Sequence, residues 1–456
     1  MERMSDLARR LSAPLKRGNA PFARVVTDSR LLSKNDLFVA LEGDRFDGHD
    51  YVAQAAQQGA AGALVSREVD CALPQVVVED TLRGLQDYAG SWREDFDLPV
   101  VAVTGSNGKT TVKQLLSAVF AQRGPVLATE GNLNNHIGVP LTLLSLRAEH
   151  RTAVIEMGAN HPGEIARLAE LARPNVGVVT NAGDAHLEGF GSREGVAKAK
   201  GELFAALGSD GVAVINADDA YAPLWRGLAA QSQRITFGLS EDADVRGVNP
   251  HAEPPDAPTG MRFELRTAEG RQGVRLPLPG VHNVRNALGA AACGVALGMD
   301  AEDIAQGLSQ VEAPPGRLTW RRAGNGARVL DDTYNANPGS LRAGLELLAL
   351  VKGRRWLVLG DMGELGAGAE GLHREAGASA KQLGVERLYA VGKFARAAAA
   401  GFGAGSAHFE TVDTLVEEVK RQLGADVAVL VKGSRASRME RAVAGLTGMP
   451  LDGEAH

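Results

Sequence analysis

Short apolar runs alternate with alanine-rich segments of helical spacing along most of this chain. Many of the runs end in polar residues, as in PVVAVTG, TAVIEMGA, NVGVVTNAG and GVAVINADD. Continuous apolar runs of this length are typical of strands that are buried on both faces of a parallel sheet. The alternation of such strands with helices predicts an α/β fold with largely parallel sheets.

The pattern divides the chain into three predicted domains. Residues 1–84 form a small N-terminal α/β domain, with strands in DLFVALEG, GALVS and LPQVVVED and a helix in YVAQAAQQGA. Residues 85–313 form a central domain with a mostly parallel sheet of the phosphate-loop type. Residues 314–456 begin at a Pro-Pro-Gly segment and form a C-terminal Rossmann-like domain, without a Gly-x-Gly-x-x-Gly fingerprint.

The end of the central domain departs from the parallel pattern. MRFELRT and GVRLPLPG alternate and lie close together, which predicts an antiparallel hairpin. The proline-rich NPHAEPPDAPTG before them is predicted to be a loop. The small residues of HNVRNALGAAACGVALGM predict a helix that closes the domain.

Composition narrows the functional classes. The formal net charge of −6 gives no basic field for nucleic acid, so no nucleic-acid partner is expected. The N-terminal segment lacks the apolar core of a signal peptide, and no apolar run reaches the roughly 20 residues needed to cross a bilayer. The two cysteines lie far apart, which suits a reducing compartment. We therefore expect a cytoplasmic protein without membrane insertion. We also expect a monomer, although nothing in the composition bears on the oligomeric state.

The sequence VVAVTGSNGKTT carries the clearest chemistry. An apolar strand, a glycine-rich turn and the start of a helix form an anion site, because backbone N–H groups point at a phosphate there. The Lys109 ammonium would contact the β- and γ-phosphates of a nucleotide, and the Thr110 hydroxyl can bind Mg²⁺. The predicted ATP-binding residues are Thr104, Gly105, Ser106, Asn107, Gly108, Lys109, Thr110 and Thr111.

Other polar side chains follow later segments of the same domain. Glu156 ends the strand in TAVIEMGAN, where a carboxylate faces nucleotide-bound Mg²⁺, and His186 follows a third strand. Lys198 and Lys200 are two residues apart on a helix, so only one of them can enter a shared site. On residue type alone, a lone histidine is more often structural than a metal ligand, and the plain alternative for the lysines is that both are solvated.

The loop lacks the early glycine of the usual pattern, since Val103 stands there, and Thr-Gly-x-Asn-Gly-Lys-Thr-Thr resembles the loop of the ATP-dependent Mur ligases. The resemblance implies an amide-forming ligase that acts on UDP-MurNAc precursors of the bacterial cell wall through an acyl phosphate. It implies two Mg²⁺ ions, bound by Thr110, Glu156, His186 and a carbamylated Lys200. Lys109, Glu156, His186 and Lys200 are then the catalytic residues, and Lys198 keeps its solvated role.

The same resemblance assigns the rest of the nucleotide site. The motif His-Asn-x-x-Asn-Ala places Asn283 and Asn286 beside the adenine, although capping of a helix would be their ordinary role. Arg317 is implied to contact the nucleotide and Asp331 the ribose. Tyr334 and Asn335 would border the adenine or the incoming substrate, whereas Asn337-Pro338 is a helix N-cap followed by proline.

Segments in the first two domains are similar to the family's binding site for the UDP-linked substrate. TDSR and GDRFDGH supply Ser29, Arg30 and Asp47 in the N-terminal domain, although a surface turn is the alternative for the first segment. In the central domain, TEGNLNNHIGVP resembles the segment that contacts the muramoyl sugar. Its predicted substrate residues are Asn132, Asn134, Asn135 and His136.

Four segments, EMGAN, DDTYNANP, GDMGELG and KGSRASRME, resemble the family branch that joins D-alanyl-D-alanine to UDP-MurNAc-tripeptide. The branch that adds meso-diaminopimelate has an Asp-Asn-Pro-Arg motif, which this chain lacks. Folylpolyglutamate synthetase is an alternative within the superfamily. An alternative of another class is a binding protein that uses ATP to drive domain closure without ligation.

Overall fold

Buried aliphatic strands form three large sheets in the computed structural model, which describes residues 2–43, 46–254, 258–313 and 315–450. Two further sheets among these residues, β1-β3 and β6-β7, have two strands each. The predicted domain boundary at Pro314, and Asp44 and Arg45 of the GDRFDGH segment, lie outside these residues. The sheets confirm the predicted α/β class with largely parallel strands. In the described part of the chain, no helix combines the length and the apolarity that a bilayer span requires.

The N-terminal sheet has the strand order β2-β9-β8-β5-β4, parallel except for the pair β2 and β9. Helix α3 follows the last strand of this part of the chain and contains the predicted domain boundary between residues 84 and 85. The elements are β1 (Glu2–Arg3), α1 (Met4–Arg10), β2 (Leu15–Lys16), β3 (Pro21–Phe22), β4 (Arg24–Val26), β5 (Asp36–Val39), β6 (Glu42–Gly43), β7 (Phe46–Asp47), α2 (Val52–Gln57), β8 (Gly62–Val65), β9 (Gln75–Val77) and α3 (Thr81–Arg93).

The central sheet has nine strands in the order β11-β12-β10-β13-β14-β15-β16-β17-β18. Its elements are β10 (Val100–Thr104), α4 (Lys109–Phe120), β11 (Val126–Ala128), α5 (Gly138–Leu143), β12 (Thr152–Glu156), α6 (Glu164–Ala172), β13 (Val176–Val179), α7 (Leu187–Phe190), α8 (Arg193–Ala205), β14 (Val212–Asn216), α9 (Ala222–Leu228), β15 (Gln233–Gly238), β16 (Val245–Glu253), β17 (Gly260–Thr267), β18 (Gly270–Leu276), α10 (Val281–Ala296) and α11 (Ala301–Ser309).

The position of β10 in this sheet determines where ligands bind. The chain leaves β10 toward β11 and β12 on one side and then continues through β13 on the other side. A crevice opens at such a switch point, outside the carboxyl ends of the parallel strands. The glycine-rich loop follows β10, Glu156 ends β12, and the loop with His186 follows β13, so all three meet there.

The C-terminal sheet has the order β19-β20-β24-β21-β22-β23, and only β19 pairs antiparallel. It confirms the predicted Rossmann-like alternation. Its elements are β19 (Thr319–Arg322), β20 (Arg328–Asp332), α12 (Pro338–Ala349), β21 (Arg354–Leu359), α13 (Ala369–Gln382), β22 (Arg387–Val391), α14 (Ala395–Phe402), β23 (Ser406–Phe409), α15 (Val412–Gln422), β24 (Val427–Lys432) and α16 (Glu440–Thr447).

The antiparallel hairpin of β17 and β18 is confirmed, but the proline-rich segment before it is not simply a loop. Residues 249–253 continue β16, which pairs antiparallel with β17. The register shifts between Val248 and His251, and Asn249 has φ +51°. A bulge accommodates a proline that a regular ladder would exclude, so Pro250 stays within the strand. Among the strands of the described residues, β1 to β4, β7, β15, β16, β19 and β23 were not predicted.

Candidate functional site

The glycine-rich loop passes between two side chains that leave no room for Cβ atoms. Gly105 has φ +143°, and a Cβ there would lie 2.0 Å from Oγ1 of Thr180. Gly108 has φ +83°, and its Cβ would lie 2.5 Å from Oδ1 of Asn286. Glycine is therefore required at both positions. The side chain of Asn286 lies directly against Gly108.

Hydrogen bonds from the loop after β13 fix the conformation of the glycine-rich loop. The backbone N–H of Ser106 donates to the carbonyl of Asn181 at 3.0 Å, and that of Asn107 donates to Oδ1 of Asn181 at 3.1 Å. Thr180 Oγ1 donates to the Asn107 carbonyl at 2.6 Å. Helix α4 then begins at Lys109 after Gly108, without a side-chain cap. Its first N–H groups and the positive end of its dipole are left for an anion.

Lys109 lies over this loop. Its Nζ donates to the Gly105 carbonyl at 2.8 Å, and the Ser106 carbonyl lies 3.4 Å away. Burial lowers the pKa of Lys109, while the nearby Glu156 carboxylate acts in the opposite direction. The ammonium therefore lies beside the anion site, between the loop and Glu156.

Glu156 connects the loop with two other segments. Its carboxylate is buried, and Oε1 accepts from Thr110 Oγ1 at 3.3 Å and from Asn134 Nδ2 at 2.8 Å. Oε2 has no hydrogen-bond partner and lies 3.6 Å from Nζ of Lys113. A buried carboxylate oxygen without a hydrogen bond is costly, and a divalent cation would satisfy it. Thr110 and Glu156 therefore fit a Mg²⁺ ion. The contribution of Lys113 was not predicted.

Lys200 is fully buried, whereas Lys198 points to solvent. Nζ of Lys200 donates to the Ala159 carbonyl at 3.1 Å and lies 5.0 Å from the ring centre of Phe190. Burial, with a smaller effect of Lys109, lowers the pKa of Lys200 to about 7. Lys198 pairs with Glu194 at 2.7 Å, which confirms its predicted solvated role. The ring of His186 packs on the same Phe190, 6.5 Å between centres.

The lowered pKa of Lys200 predicts a pH-dependent stability effect. Between about pH 7 and pH 10.5 the unfolded chain binds a proton that the folded chain does not. The cost of burying the charge is thus complete below pH 7 and falls as the pH rises. In CO₂-free buffer, Lys200→Met should stabilise the protein more at pH 6 than at pH 9, by roughly 2–3 kcal/mol. Denaturant unfolding at both pH values measures this, with Lys198→Met as the exposed control; an equal gain at both would contradict it.

Residues that flank β19 and β20 of the C-terminal sheet reach the central site. Arg317 Nη2 donates to Thr110 Oγ1 at 3.1 Å, and its guanidinium lies 4.1 Å from the ring centre of Tyr334. Nδ2 of Asn337 donates to Oδ1 of Asn107 at 2.7 Å. The sequence predicted the positions of Arg317 and Tyr334 near the nucleotide but not the contact made by Asn337.

Asn337 also has the predicted capping role. Its Oδ1 accepts from Ser340 N–H at 2.9 Å at the start of α12, where Pro338 is the first helical residue. One carboxamide thus caps a helix with its oxygen and contacts the glycine-rich loop with its nitrogen.

A contact between His186 and Glu364 also crosses between the sheets. Nδ1 of His186 lies against Oε2 of Glu364, in the loop after β21, without a hydrogen bond between them. The contact with His186 lowers the pKa of Glu364. Glu364 lies within the GDMGELG segment, which carried only a family resemblance and gave no signal for this pairing.

Asp331 and Asn335, which are predicted to lie near the nucleotide, form hydrogen bonds with other residues of the C-terminal part of the chain. Asp331 is buried; Oδ1 accepts from Thr333 Oγ1 at 2.7 Å, and Oδ2 accepts from Arg321 Nε at 3.1 Å. The carbonyl of Asn335 accepts from the buried Lys432 Nζ at 3.0 Å. Their contacts with a nucleotide remain a prediction.

The asparagine pair at the start of α10 does not cap the helix, because Gly280 is its N-cap. Asn283 Nδ2 donates to the Pro279 carbonyl at 2.7 Å, and Asn286 Nδ2 donates to Asn283 Oδ1 at 3.1 Å. Both side chains are buried behind the glycine-rich loop. The capping alternative is therefore wrong for both residues.

Of the predicted residues in the N-terminal part of the chain, Ser29 and Arg30 lie in a turn, and Asp47 ends β7. Ser29 and Arg30 form a 3₁₀ turn, and Arg30 Nη2 donates to Asp28 Oδ2 at 2.6 Å. Oδ1 of Asp47 contacts Nδ1 of His49 at 2.7 Å. An ion pair with Arg67 is the main cause that holds the pKa of Asp47 well below its usual range. These contacts agree with the surface-turn alternative for TDSR and leave substrate binding a prediction.

The four predicted residues of the asparagine-rich loop after β11 differ in their surroundings. Asn134 reaches Glu156, as described above. Oδ1 of Asn135 accepts from the N–H groups of Ile137 and Gly138 at 3.1 and 2.8 Å, which is a local cap at the start of α5. The side chains of Asn132 and His136 are exposed. Within this loop, the structure brings Asn134 to the centre of the site.

A cleft of about 1070 Å³ adjoins the contact of His186 with Glu364. It lies between α7 and the loops that follow β21 and β24. Its polar and apolar walls include Glu188, Met362, Glu364, Phe394, Ser434 and Ser437. The cleft thus lies between the loop that carries α7 and the C-terminal sheet, with Glu364 in its wall.

Comparison with known proteins gives matches along almost the whole chain. Models described as Mur ligase family, catalytic domain, Mur ligase middle domain, and Mur ligase, glutamate ligase domain match residues 21–87, 103–294 and 316–435. The UDP-N-acetylmuramoyl-tripeptide–D-alanyl-D-alanine ligase of Escherichia coli is 43% identical over 446 residues, covering 97% of this chain and 98% of that protein. The enzyme of that name from Haemophilus influenzae is 38% identical, covering 92% and 93%.

Solved structures agree with these relatives. A crystal structure of MurF from Acinetobacter baumannii has a TM-score of 0.91 at 37% identity, covering 98% of each chain. MurF ligase from Thermotoga maritima in complex with ADP has a TM-score of 0.83 at 28% identity, covering 93% of this chain and 97% of that chain. A folylpolyglutamate synthase from Mycobacterium tuberculosis, at 18% identity and a TM-score of 0.64, is similar in fold alone.

Proposed function

This chain belongs to the Mur ligase family, and from that premise we propose that it joins D-alanyl-D-alanine to UDP-MurNAc-tripeptide at the expense of ATP. The product is UDP-MurNAc-pentapeptide, a precursor of peptidoglycan, so that the enzyme serves cell wall biogenesis and with it cell shape and division. The observation that carries the proposal is the full-length similarity to ligases of this name, together with an anion loop whose neighbours suit an acid-activating reaction.

ATP occupies the glycine-rich loop, with its phosphates at the start of α4. The loop N–H groups, Lys109, Thr110 and Thr111 hold the phosphates, and Arg317 approaches from the C-terminal sheet. Asn283 and Asn286 border the adenine, and Asp331 binds the ribose. The three predicted domains, 1–84, 85–313 and 314–456, correspond to the UDP-substrate, ATP and acceptor parts.

Thr110 and Glu156 would hold one Mg²⁺ ion, and His186 with a carbamylated Lys200 would hold a second. When bound, these ions supply charge neutralisation for the nucleotide phosphates and the acyl phosphate. The orphaned Oε2 of Glu156 and the buried, low-pKa amine of Lys200 support this assignment. A neutral amine can react with CO₂, which converts the lysine into an oxygen ligand.

The reaction begins when the terminal carboxylate of the tripeptide attacks the γ-phosphate of ATP, giving an acyl phosphate and ADP. Both reacting groups are anionic, so the Lys109 ammonium reduces their repulsion. The amine of D-alanyl-D-alanine then attacks the acyl carbon, and the tetrahedral intermediate loses phosphate and a proton to give the amide. Asn134 holds Glu156 in place during both steps.

Contacts between the central and C-terminal sheets complete the site. Arg317 and Asn337 reach the glycine-rich loop from the C-terminal side. Such closure keeps water from the reactive acyl phosphate, which would otherwise be hydrolysed. The acceptor dipeptide lies in the adjoining cleft, whose apolar walls suit two methyl side chains.

The UDP-linked substrate spans the first two sheets. Ser29, Arg30 and Asp47 bind its UDP end, and the loop with Asn132, Asn134, Asn135 and His136 binds the muramoyl sugar. Tyr334 and Asn335 lie beside the nucleotide or the acceptor. The enzyme acts in the cytoplasm as a monomer, without nucleic acid or membrane insertion.

The mass of the product tests this function. Incubation with ATP, UDP-MurNAc-tripeptide and D-alanyl-D-alanine should give a product heavier than the tripeptide precursor by one dipeptide less one water, detected by mass spectrometry. A panel of acceptors in a phosphate-release assay separates this activity from that of other amide ligases of the same fold. Phosphate release without an adduct would indicate a nucleotide-driven binding protein instead and would refute the ligase.

A further inference from the structure

Arg317 reaches from the C-terminal part of the chain to the start of α4. Its Nη2 donates to Thr110 Oγ1 at 3.1 Å, and its guanidinium carbon lies 4.1 Å from the centre of the Tyr334 ring. In the described part of the chain, no carboxylate lies within ion-pair distance of this guanidinium. Its other N–H groups are therefore left for an anion at the uncapped start of α4.

Left-handed backbone on both sides of Arg317 fixes the direction in which its side chain leaves the chain. Gly316 has φ +66° and Leu318 has φ +51°. The Leu318 side chain is buried in the core of the C-terminal sheet, and this packing enforces a conformation that is costly for a residue with a Cβ atom. The Gly316 carbonyl also accepts from the Tyr334 N–H at 3.1 Å, so the segment of Arg317 is joined to that of Tyr334.

Buried contacts fix the loop that carries Tyr334. Nζ of Lys432, which is almost fully buried, forms an ion pair with Asp332 and donates to the Asn335 carbonyl at 3.0 Å. The Tyr334 side chain itself is partly exposed, and among the described residues its hydroxyl has no hydrogen-bond partner. The ring is thus held on a braced loop and offers Arg317 its π face.

A stack of this kind restricts the guanidinium. An aromatic face attracts a cation electrostatically, and the planar guanidinium of arginine stacks on it. An unrestrained arginine loses side-chain entropy when it binds a ligand, and a side chain that is already ordered loses less. The ring of Tyr334 can therefore strengthen a contact that Arg317 makes with an anion, without touching the anion itself.

We propose that Tyr334 is a positioning residue that acts on the nucleotide through Arg317, holding the guanidinium at the start of α4 where it contacts the phosphates. The proposal rests on the ATP site of the proposed function, and it assigns Tyr334 to Arg317 and not to the adenine or the acceptor. Because both residues belong to the C-terminal part of the chain and α4 to the central sheet, nucleotide binding and closure of the two parts favour each other.

A double-mutant cycle on the full-length protein tests this, with the affinity for a non-hydrolysable ATP analogue in the presence of Mg²⁺ measured by isothermal titration calorimetry. Tyr334→Ala and Tyr334→Leu should each weaken binding by about 3–30-fold. Tyr334→Phe keeps the π face and should bind within about twofold of the unchanged protein. When Arg317→Ala is already present, adding Tyr334→Ala should have no further effect, because the ring then has no guanidinium to hold.

Lys381→Ala is the matched control for Arg317→Ala. It also removes a cation from an aromatic ring of the C-terminal part of the chain, since Nζ of Lys381 lies 4.5 Å from the ring centre of Phe402. This variant should bind the analogue normally. Circular dichroism verifies the fold of each variant, and Tyr334→Leu, which keeps an apolar side chain, carries the test if Tyr334→Ala does not fold.

An effect of Tyr334→Ala that persists in the Arg317→Ala protein would overturn the proposal, because the ring would then act on the nucleotide directly. Equal binding by Tyr334→Leu and Tyr334→Phe would overturn it too, since apolar bulk and not the π face would matter. Normal binding by Arg317→Ala would remove the phosphate contact and the proposal with it. None of these results changes the mass of the product, which tests the proposed function separately.

Discussion

Replacing Lys109 with alanine is expected to lower kcat by at least about 10²–10³-fold, by analogy with the loss of one well-placed donor to developing charge. The Lys109 ammonium lies over the glycine-rich loop, bonded to the Gly105 carbonyl at 2.8 Å, close to the expected γ-phosphate. Without it, the substrate carboxylate and the phosphate repel each other as they approach. Product formation at saturating concentrations of all three substrates measures the effect.

Lys109→Arg tests whether the positive charge alone is sufficient. It keeps the charge but replaces a compact ammonium by a planar guanidinium, and its kcat should lie between those of Lys109→Ala and the unchanged enzyme. Lys198→Ala removes an exposed lysine that pairs with Glu194, and its activity should be unchanged. If Lys109→Ala kept kcat within tenfold of the unchanged enzyme, the glycine-rich loop would not be the site of phosphoryl transfer.

Lys200→Ala is expected to be inactive and to recover part of its activity when short carboxylates such as acetate are added. Burial lowers the pKa of this amine to about 7, so a large neutral fraction can react with CO₂ near neutral pH. A carbamate on this lysine would place an anionic oxygen near Phe190, on which the ring of His186 also packs. A small carboxylate can enter the space left by the truncated side chain and supply the same oxygen.

Lys198→Ala is the matched control for this experiment, because the two lysines share α8 but only Lys200 is buried. Acetate should leave the Lys198→Ala enzyme unaffected. Full activity of Lys200→Ala in CO₂-depleted buffer would remove Lys200 from the mechanism. A folded but inactive variant that no carboxylate restores would refute the carbamate.

The parts of the site that follow from local sequence or from the rules of parallel sheets were predictable. The strand, the loop and the start of α4 form one local unit, whose glycines are required by φ angles and close neighbours. Glu156 and His186 could be placed because parallel strands bring their carboxyl ends to one edge. Lys200 was separated from Lys198 by helical spacing and a family pattern, and its burial agrees.

Contacts between distant segments were not predictable. Lys113 beside Glu156, Asn337 on Asn107, and Glu364 on His186 depend on how sheets and loops pack, and no local pattern marks them. Asn135 shows the reverse, since it belongs to a substrate-like segment but its oxygen is occupied by a local cap.

The sequence by itself determined the α/β class, the phosphate loop and the residues that could carry its chemistry, because each depends on short-range periodicity or on residue type at a fixed spacing. The tertiary structure alone decided which of these side chains are buried, which nitrogen of His186 faces a carboxylate, and which residues of the C-terminal sheet reach the loop. Burial and orientation depend on packing between segments far apart in the chain, and packing has no signature in any one of them.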